Sequence, residues 1–289
     1  MARKIKVSAA SLNIRLHPHS PEIYMDWMVD IYRKKLIGPV HGDRHAMIST
    51  LDASKANDGI IRGVITTFIK FDSDGDWFNS EKLEEATKDD VSEIKIPDNL
   101  HYNPAQFYFT FYARYHRLYF QTYSNKKVLT PPSAHNFFSH LSRDLDVMEK
   151  FGEAQISIVQ DRATLDKMFK IERIKEISVT ILKPNTDVFD DDFEKNIEAH
   201  LANTKSREFT VKYKADARGS IEPDDDIKRI SKIALDNGSV KVIGRDDKGA
   251  VNLNSEKYPE EFHDKFDPDV QSERSAFDAL LPAVPRVAR

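Results

Sequence analysis

The sequence predicts a mixed α+β fold, in which an antiparallel-rich N-terminal sheet with covering helices is followed by an α/β C-terminal half. The stretch FYFTFYARYHRLYFQTY, residues 107–123, places nine aromatic residues among seventeen and alternates like paired strands. Helical and strand-like segments then alternate between residues 155 and 253, which is typical of an open α/β sheet. With 289 residues, 40% of them hydrophobic, the chain is long enough for one large or two medium domains.

The first half begins with strand and helix signals in turn. Ser20 followed by Pro21 is a typical helix start, and Gly38 marks the expected end of that helix. A second helix, with Ser133 as its cap and Gly152 at its end, follows the aromatic stretch. Strands are predicted at residues 5–16, 45–51 and 60–71.

The aromatic stretch is predicted to be a hairpin with two unlike faces. A turn at Tyr115-His116 pairs residues whose numbers sum to 231: Phe111 with Phe120 and Phe109 with Thr122 on one face, Tyr112 with Tyr119 and Tyr108 with Tyr123 on the other. Phenylalanine has no polar atom, so its face belongs in the core. Tyrosine needs a hydrogen-bond partner when buried, so its face is either covered by a helix or partly open.

Three regions follow from these patterns. Residues 1–152 form the predicted N-terminal α+β domain with the aromatic hairpin. Residues 153–257 form a predicted α/β domain, either separate from the first or continuous with it, with strands at 155–159, 174–182, 209–213, 240–243 and 250–253 and helices at 191–204 and 224–237. Residues 258–289, with weak periodicity, are expected to be a loosely ordered arm.

Composition and missing motifs exclude several classes of protein. No run approaches the roughly 20 apolar residues that cross a bilayer, and no signal peptide is evident, so a cytoplasmic protein without a membrane partner is expected. The chain has no cysteine, which excludes thiolate chemistry and cysteine-bound metals. No P-loop, G-x-G-x-x-G, H-E-x-x-H or G-x-S-x-G motif occurs, and no cofactor or metal site is predicted.

Two histidine clusters are the candidate catalytic groups. RLHPHSPE places His17 and His19 before a helix N-terminus, and HGDRH adds His41, Arg44 and His45 in a loop. If the clusters meet in the fold, the histidines can serve as general acid and base for metal-independent phosphodiester cleavage, and Arg15 or Arg44 can stabilise the transition state. A His/Asp metal site, for which the spacing is not diagnostic, is an alternative chemistry, and ordinary loop and capping histidines are the other alternative.

Basic residues predict a nucleic-acid contact near the hairpin. Residues 1–71 carry eleven Lys or Arg against six Asp or Glu, and residues 101–127 carry four against none, although the whole chain has a net charge of −4. At the hairpin tip, arginines flank an aromatic pair, which combines charge for phosphates with a surface for stacking bases. The predicted contacts are Arg15, Arg114, Tyr115, His116, Arg117, Lys126 and Lys127. Arginines retained only for solubility are the alternative.

The segments KIKVSAASLNIRLHPHSPEIY, ISVTILKPNTD and VKVIGRDDKGAVNLNS resemble the bacterial domain of unknown function 4747 family. The resemblance covers nearly the whole chain and implies no particular catalytic residue. It implies an accessory-genome protein, of a kind found near phage-defence genes.

Three functions are consistent with the sequence. The favoured one is binding of single-stranded RNA or DNA in a bacterial phage-defence or toxin–antitoxin system. The second is a histidine-dependent nuclease. The third is a non-enzymatic assembly subunit that binds a protein partner or a second copy of itself through its tyrosine face and C-terminal arm.

Overall fold

The fold is known from a computed structural model, which describes residues 4–17, 20–71, 75–92, 94–183 and 192–283. It contains two main antiparallel sheets with helices packed on them, so the predicted mixed α+β class is confirmed. Within the described ranges, no helix is long and apolar enough to cross a membrane.

The first sheet has the strand order β10-β1-β8-β7-β4-β3-β2, and each of its pairs is antiparallel. Two further strands join it, β15 beside β1 and β9 beside β8. Its strands are β1 (Ile5–Arg15), β2 (Gly38–His41), β3 (Arg44–Asp52), β4 (Ile60–Ile69), β7 (Tyr102–Tyr112), β8 (Arg117–Ser124), β9 (Lys127–Val128), β10 (Gln155–Ile158) and β15 (Glu261–Phe266). Between β4 and β7 lie the short strands β5 (Phe78–Asn79) and β6 (Glu84–Glu85) and helix α2 (Lys88–Val91).

Two helices fill and close this curled sheet. Helix α1 (Pro21–Arg33) buries Tyr24, Trp27 and Met28 completely against its concave face. Helix α3 (Pro131–Leu141) contacts both edge strands: the Asn136 amide donates to the carbonyl of Val40 in β2, and His135 bonds the carbonyl of Ile156 in β10. The two exposed edges are therefore joined through one helix.

The hairpin confirms the predicted faces but not the predicted register. Phe109 lies opposite Phe120 and Tyr112 opposite Arg117, so paired numbers sum to 229 rather than 231. A shift of two residues keeps every side chain on its face, because side chains alternate with a period of two. Phe109, Phe111 and Phe120 are accordingly fully buried in the main core.

Helix boundaries differ from the predictions at three places. Ser20 caps α1 as expected, but α1 ends at Arg33 because residues from Gly38 onward pair as β2. The predicted helix at 133–152 is two helices, α3 capped by Thr130 and α4 (Leu145–Phe151) capped by Asp144. The side chains of Thr130 and Asp144 accept hydrogen bonds from the backbone N–H groups of Ser133 and Val147, so each residue starts its own helix.

The second sheet has the order β12-β11-β13-β14 and is open and antiparallel. Helices α6 and α7 pack on one face, where Ile177, Val179 and Val242 are buried. The elements of this region are α5 (Ala163–Met168), β11 (Arg173–Leu182), α6 (Asp192–Asn203), β12 (Glu208–Lys214), α7 (Asp225–Asn237), β13 (Gly238–Asp246) and β14 (Gly249–Asn254).

The C-terminal segment is integrated into the fold, so the expected loose arm is wrong for residues 261–283. Strand β15 pairs with β1, and helix α8 (Glu273–Leu280) buries Phe277 completely. Phe277 lies near Tyr108 on the tyrosine face of the hairpin, and the Arg274 guanidinium lies 5.1 Å from the Tyr108 ring centroid. Helix α8 thus covers the tyrosine face, which is one of the two arrangements predicted for it.

Replacing Phe111 by alanine should lower the free energy of unfolding by about 3–5 kcal/mol, because a large core side chain leaves a cavity. Phe111 is fully buried with its ring centroid 6.1 Å from that of Tyr24. Guanidinium chloride unfolding measures the loss, with the exposed Arg114→Ala as the control. A loss below about 1 kcal/mol would contradict this core position.

Candidate nucleic-acid interface

A buried polar row on the first sheet holds the second sheet in place. Asn13 in β1 lies opposite Ser157 on one side and Arg117 on the other. All three side chains bind the end of α7: Asn13 Nδ2 donates to the Asp236 carbonyl (3.1 Å), Ser157 Oγ donates to the same carbonyl (2.7 Å), and Arg117 Nη2 donates to Asp236 Oδ1 (2.9 Å). We call these four residues the polar seat.

The polar seat is dry and tightly packed. Asp236 is 4% exposed and Arg117 3% exposed, so their ion pair is shielded from water. Gly238, the next residue but one, has no room for a side chain, because a Cβ there would collide with the Thr180 carbonyl in β11. Contacts with both sheets therefore fix the position of the end of α7.

Arg15 also links the two sheets. Its side chain is buried, and Nη1 donates to the carbonyls of Leu182 (3.3 Å) and Lys183 (2.8 Å) at the end of β11. The pKa of Arg15 is lowered to about 10, chiefly by burial and also by nearby Arg117, while Tyr24 and Asp236 oppose the shift. The guanidinium stays charged at neutral pH but is not available to a strand in solution.

The hairpin turn exposes only part of the predicted contact set. Arg114 is exposed and Tyr115 half-buried, as expected of a turn. His116 is buried, adopts a left-handed conformation (φ 54°) and stacks on Tyr24 at 4.8 Å between centroids. His116 and Arg117 are therefore both buried, although both were predicted as nucleic-acid contacts at the hairpin tip. The cause is the long-range packing of α1 and α7 against the turn.

The predicted lysines lie at the other end of the first sheet. Lys126 is exposed in the turn after β8, and Lys127 donates to Asn103 Oδ1 (2.9 Å). Arg44 donates to the backbone carbonyl of the same Asn103 (3.2 Å). The hairpin turn and these lysines are thus separated by the length of β8 and do not form one surface.

The two histidine clusters do not meet. His41, Arg44 and His45 lie at the end of the sheet where β3 pairs with Ile69, whereas His17 follows β1 at the end where Ile60 pairs with Tyr112. The ten residues of β4 from Ile60 to Ile69 span about 30 Å. His19 lies outside the described residues. His17 therefore does not form the shared site with His41 and His45 that the nuclease hypothesis requires.

A different basic surface appears on the uncovered side of the second sheet. The register aligns Lys214, Glu176 and Ile243 in one row across β12, β11 and β13, and Lys212, Ser178 and Lys241 in the next row, on the face opposite α6 and α7. Arg245 lies further along β13 on the same face. We call Lys212, Lys214, Lys241 and Arg245 the basic face; all four are exposed.

The charge of the basic face is only partly compensated. Glu176 is paired with Lys212 at 3.0 Å. The pKa of Glu176 is lowered, first by the hydrogen bond from Lys212 and also by the charges of Lys212, Lys214 and Lys241. Glu176 therefore lies among four cations, and Glu208, at the far end of the same face, is the second carboxylate in these rows, so the cations outnumber the carboxylates.

Sequence reasoning missed the basic face, although part of its signal is present. In TVKYK and VKVIGR, basic residues alternate with apolar ones, which places each set on one face of a strand. Nothing local shows that β11 pairs with both β12 and β13 and so joins the two sets. Among the described residues, no group of three or more His, Asp or Glu is placed to hold a metal ion.

The structure defines an α+β protein whose two antiparallel sheets are joined through a buried polar seat and whose second sheet presents a basic face. A family model, Domain of unknown function (DUF4747), matches residues 5–282. The chain therefore belongs to the DUF4747 family, in agreement with the resemblance of its sequence. A search of curated proteins finds no match.

Replacing Asp236 by alanine should lower the free energy of unfolding by about 3–5 kcal/mol, because removal of one partner leaves Arg117 buried without its counter-charge. Thermal and denaturant unfolding measure the effect. The control is Asp146→Ala, which breaks the exposed Lys34–Asp146 pair and should leave stability unchanged within error. An equal effect of the two substitutions would refute the structural role of the polar seat.

Proposed function

We propose that this protein binds single-stranded RNA or DNA, and that the basic face of the second sheet contacts the phosphates. The observation that carries the proposal is the grouping of Lys212, Lys214, Lys241 and Arg245 around one carboxylate on an uncovered sheet face. The phosphate backbone supplies most sequence-independent affinity for nucleic acid, and exposed lysines and arginines are its usual partners.

The neutral side chains around these cations support a polar ligand. Ser178, Thr180, Thr210, Asn252 and Asn254 share the face, as their pairing in the sheet requires. Hydroxyl and amide groups donate to phosphate and sugar oxygens. The face carries no aromatic side chain in these rows, so the proposal depends on phosphate contacts rather than on base stacking.

The dimensions of the basic face set the expected number of contacts. Lys241 and Arg245 are four residues apart along β13, or about 13 Å, and the three neighbouring strands β12, β11 and β13 span about 10 Å across. Four cations in this area can contact about three phosphates of one strand. Acidic Asp246 and Asp247 in the β13–β14 turn limit the positive area beyond Arg245.

We further propose that the protein acts in a bacterial phage-defence or toxin–antitoxin system in the cytoplasm, which is the setting that the family resemblance implies. It is supported by the resemblance and not by the geometry. Binding to nucleic acid is compatible with either system.

The test is the salt dependence of binding to a short fluorescent single strand. Each neutralised phosphate contributes about −0.7 to the slope of log K against log salt, so about three contacts give a slope near −2. Replacing Lys212, Lys214 and Lys241 together by alanine should weaken binding at low salt and bring the slope toward zero.

A matched control removes the same charge elsewhere. The triple variant Lys126→Ala, Lys170→Ala, Lys257→Ala changes three exposed lysines outside the basic face and should keep most of the slope. Arg114→Ala with Tyr115→Ala should also have little effect. If the wild-type protein binds no RNA or DNA at low salt, or if both triple variants behave alike, the proposal is wrong and a protein partner becomes the better explanation of the face.

A further inference from the structure

A cleft of about 580 Å³ lies between the first and second sheets. One wall is formed by α3 and β10, which contribute His135, Ser139 and Ser157. The other wall is formed by the ends of β11, β12 and β13, which contribute Thr180, Glu208 and Ser239. Its volume lies in the usual range of small-molecule sites.

The cleft is continuous with the basic face. Thr180 and Ser239 are paired neighbours in the second sheet, two residues from Ser178 and Lys241 and on the same face. They therefore belong both to the cleft wall and to the row next to the cations. A strand on the basic face would have its next nucleotide at the entrance of the cleft.

Gln160 supplies a fixed hydrogen-bond acceptor in this cleft. Its side chain is 2% exposed, and Nε2 donates to the carbonyls of Gly238 (2.6 Å) and Ile158 (3.2 Å). These two bonds determine the orientation of the amide, because a flipped amide would point its oxygen at two carbonyl oxygens. The buried Oε1 has no hydrogen-bond partner among the described residues. A buried acceptor left without a donor costs about 1–3 kcal/mol, so this atom favours a ligand with an N–H group.

The charges of the cleft also favour a hydrogen-bond donor over an anion. Arg143 and Arg207 are both engaged by Glu153, at 3.1 Å and 3.4 Å. Glu208 and Glu256 remain on the lining, so the carboxylates outnumber the guanidinium groups. A phosphate is therefore better placed on the basic face than in the cleft.

We infer that the cleft takes a nucleobase of the bound strand that carries an exocyclic amino group, with Gln160 Oε1 accepting a hydrogen bond from that group. This inference rests on the proposed binding of single strands and adds to it a site that reads a base. Hydroxyl groups of Ser139 and Ser239 are available for the ring nitrogens of the same base.

The test compares two single-stranded RNA oligomers of equal length, one of adenosine and one of purine riboside, which lacks only the exocyclic amino group. The adenosine oligomer should bind about tenfold more tightly, because purine leaves the buried acceptor without a donor. The salt slopes of the two oligomers should be the same, since their phosphates are identical.

A cleft-filling variant locates the difference. Ser139→Trp on α3 should abolish the preference for adenosine while leaving the salt slope intact. Ser54→Trp, an exposed serine outside the cleft lining, is the control and should keep the preference. Equal binding of both oligomers by the wild-type protein, or a preference that survives Ser139→Trp, would overturn the base site while leaving phosphate binding in place. Absence of any binding would overturn the proposed function, and the base site with it.

Discussion

The fold depends on the dry contact between the end of α7 and the outer face of the first sheet. Asp236 binds Asn13, Ser157 and Arg117 through its carbonyl and its carboxylate, and these three residues come from three adjacent strands. Such a contact is sensitive to loss of one partner, because the other then remains buried without compensation. It also requires Gly238 directly after α7, since β11 passes too close for a side chain. The polar seat thus determines how the second sheet is held.

This arrangement has a direct consequence for function. Helices α6 and α7 cover one side of the second sheet, and α7 is bound to the first sheet. Among the described residues no helix packs on the opposite side, whose end at Thr180 and Ser239 lines the cleft. Polar residues occupy alternate positions of β11, β12 and β13 on that side, and four of them are exposed cations. The same arrangement opens a cleft beside β10, where buried Gln160 is fixed by the carbonyl that follows α7. The contact between the two sheets therefore determines the positions of both the basic face and the cleft.

The local sequence was sufficient for the features that depend on local chemistry. Ser20 and Pro21 start α1, and the phenylalanine face of the hairpin is buried. The hairpin register was wrong by two residues, because the same face is buried in either register and the four-residue turn with left-handed His116 was not recognised. The burial of Arg117 was missed because its partner, Asp236, is 119 residues away. The basic face was missed for a similar reason, since it exists only after β12, β11 and β13 have paired.

The central claim, that a single strand lies on the second sheet, is tested most directly by photo-crosslinking a bound oligonucleotide and mapping the modified peptides. Crosslinks should fall in β12, residues 208–214, and in β13, residues 238–246. Crosslinks confined to residues 113–127 of the first sheet, around the hairpin turn and the lysines after β8, would contradict the account.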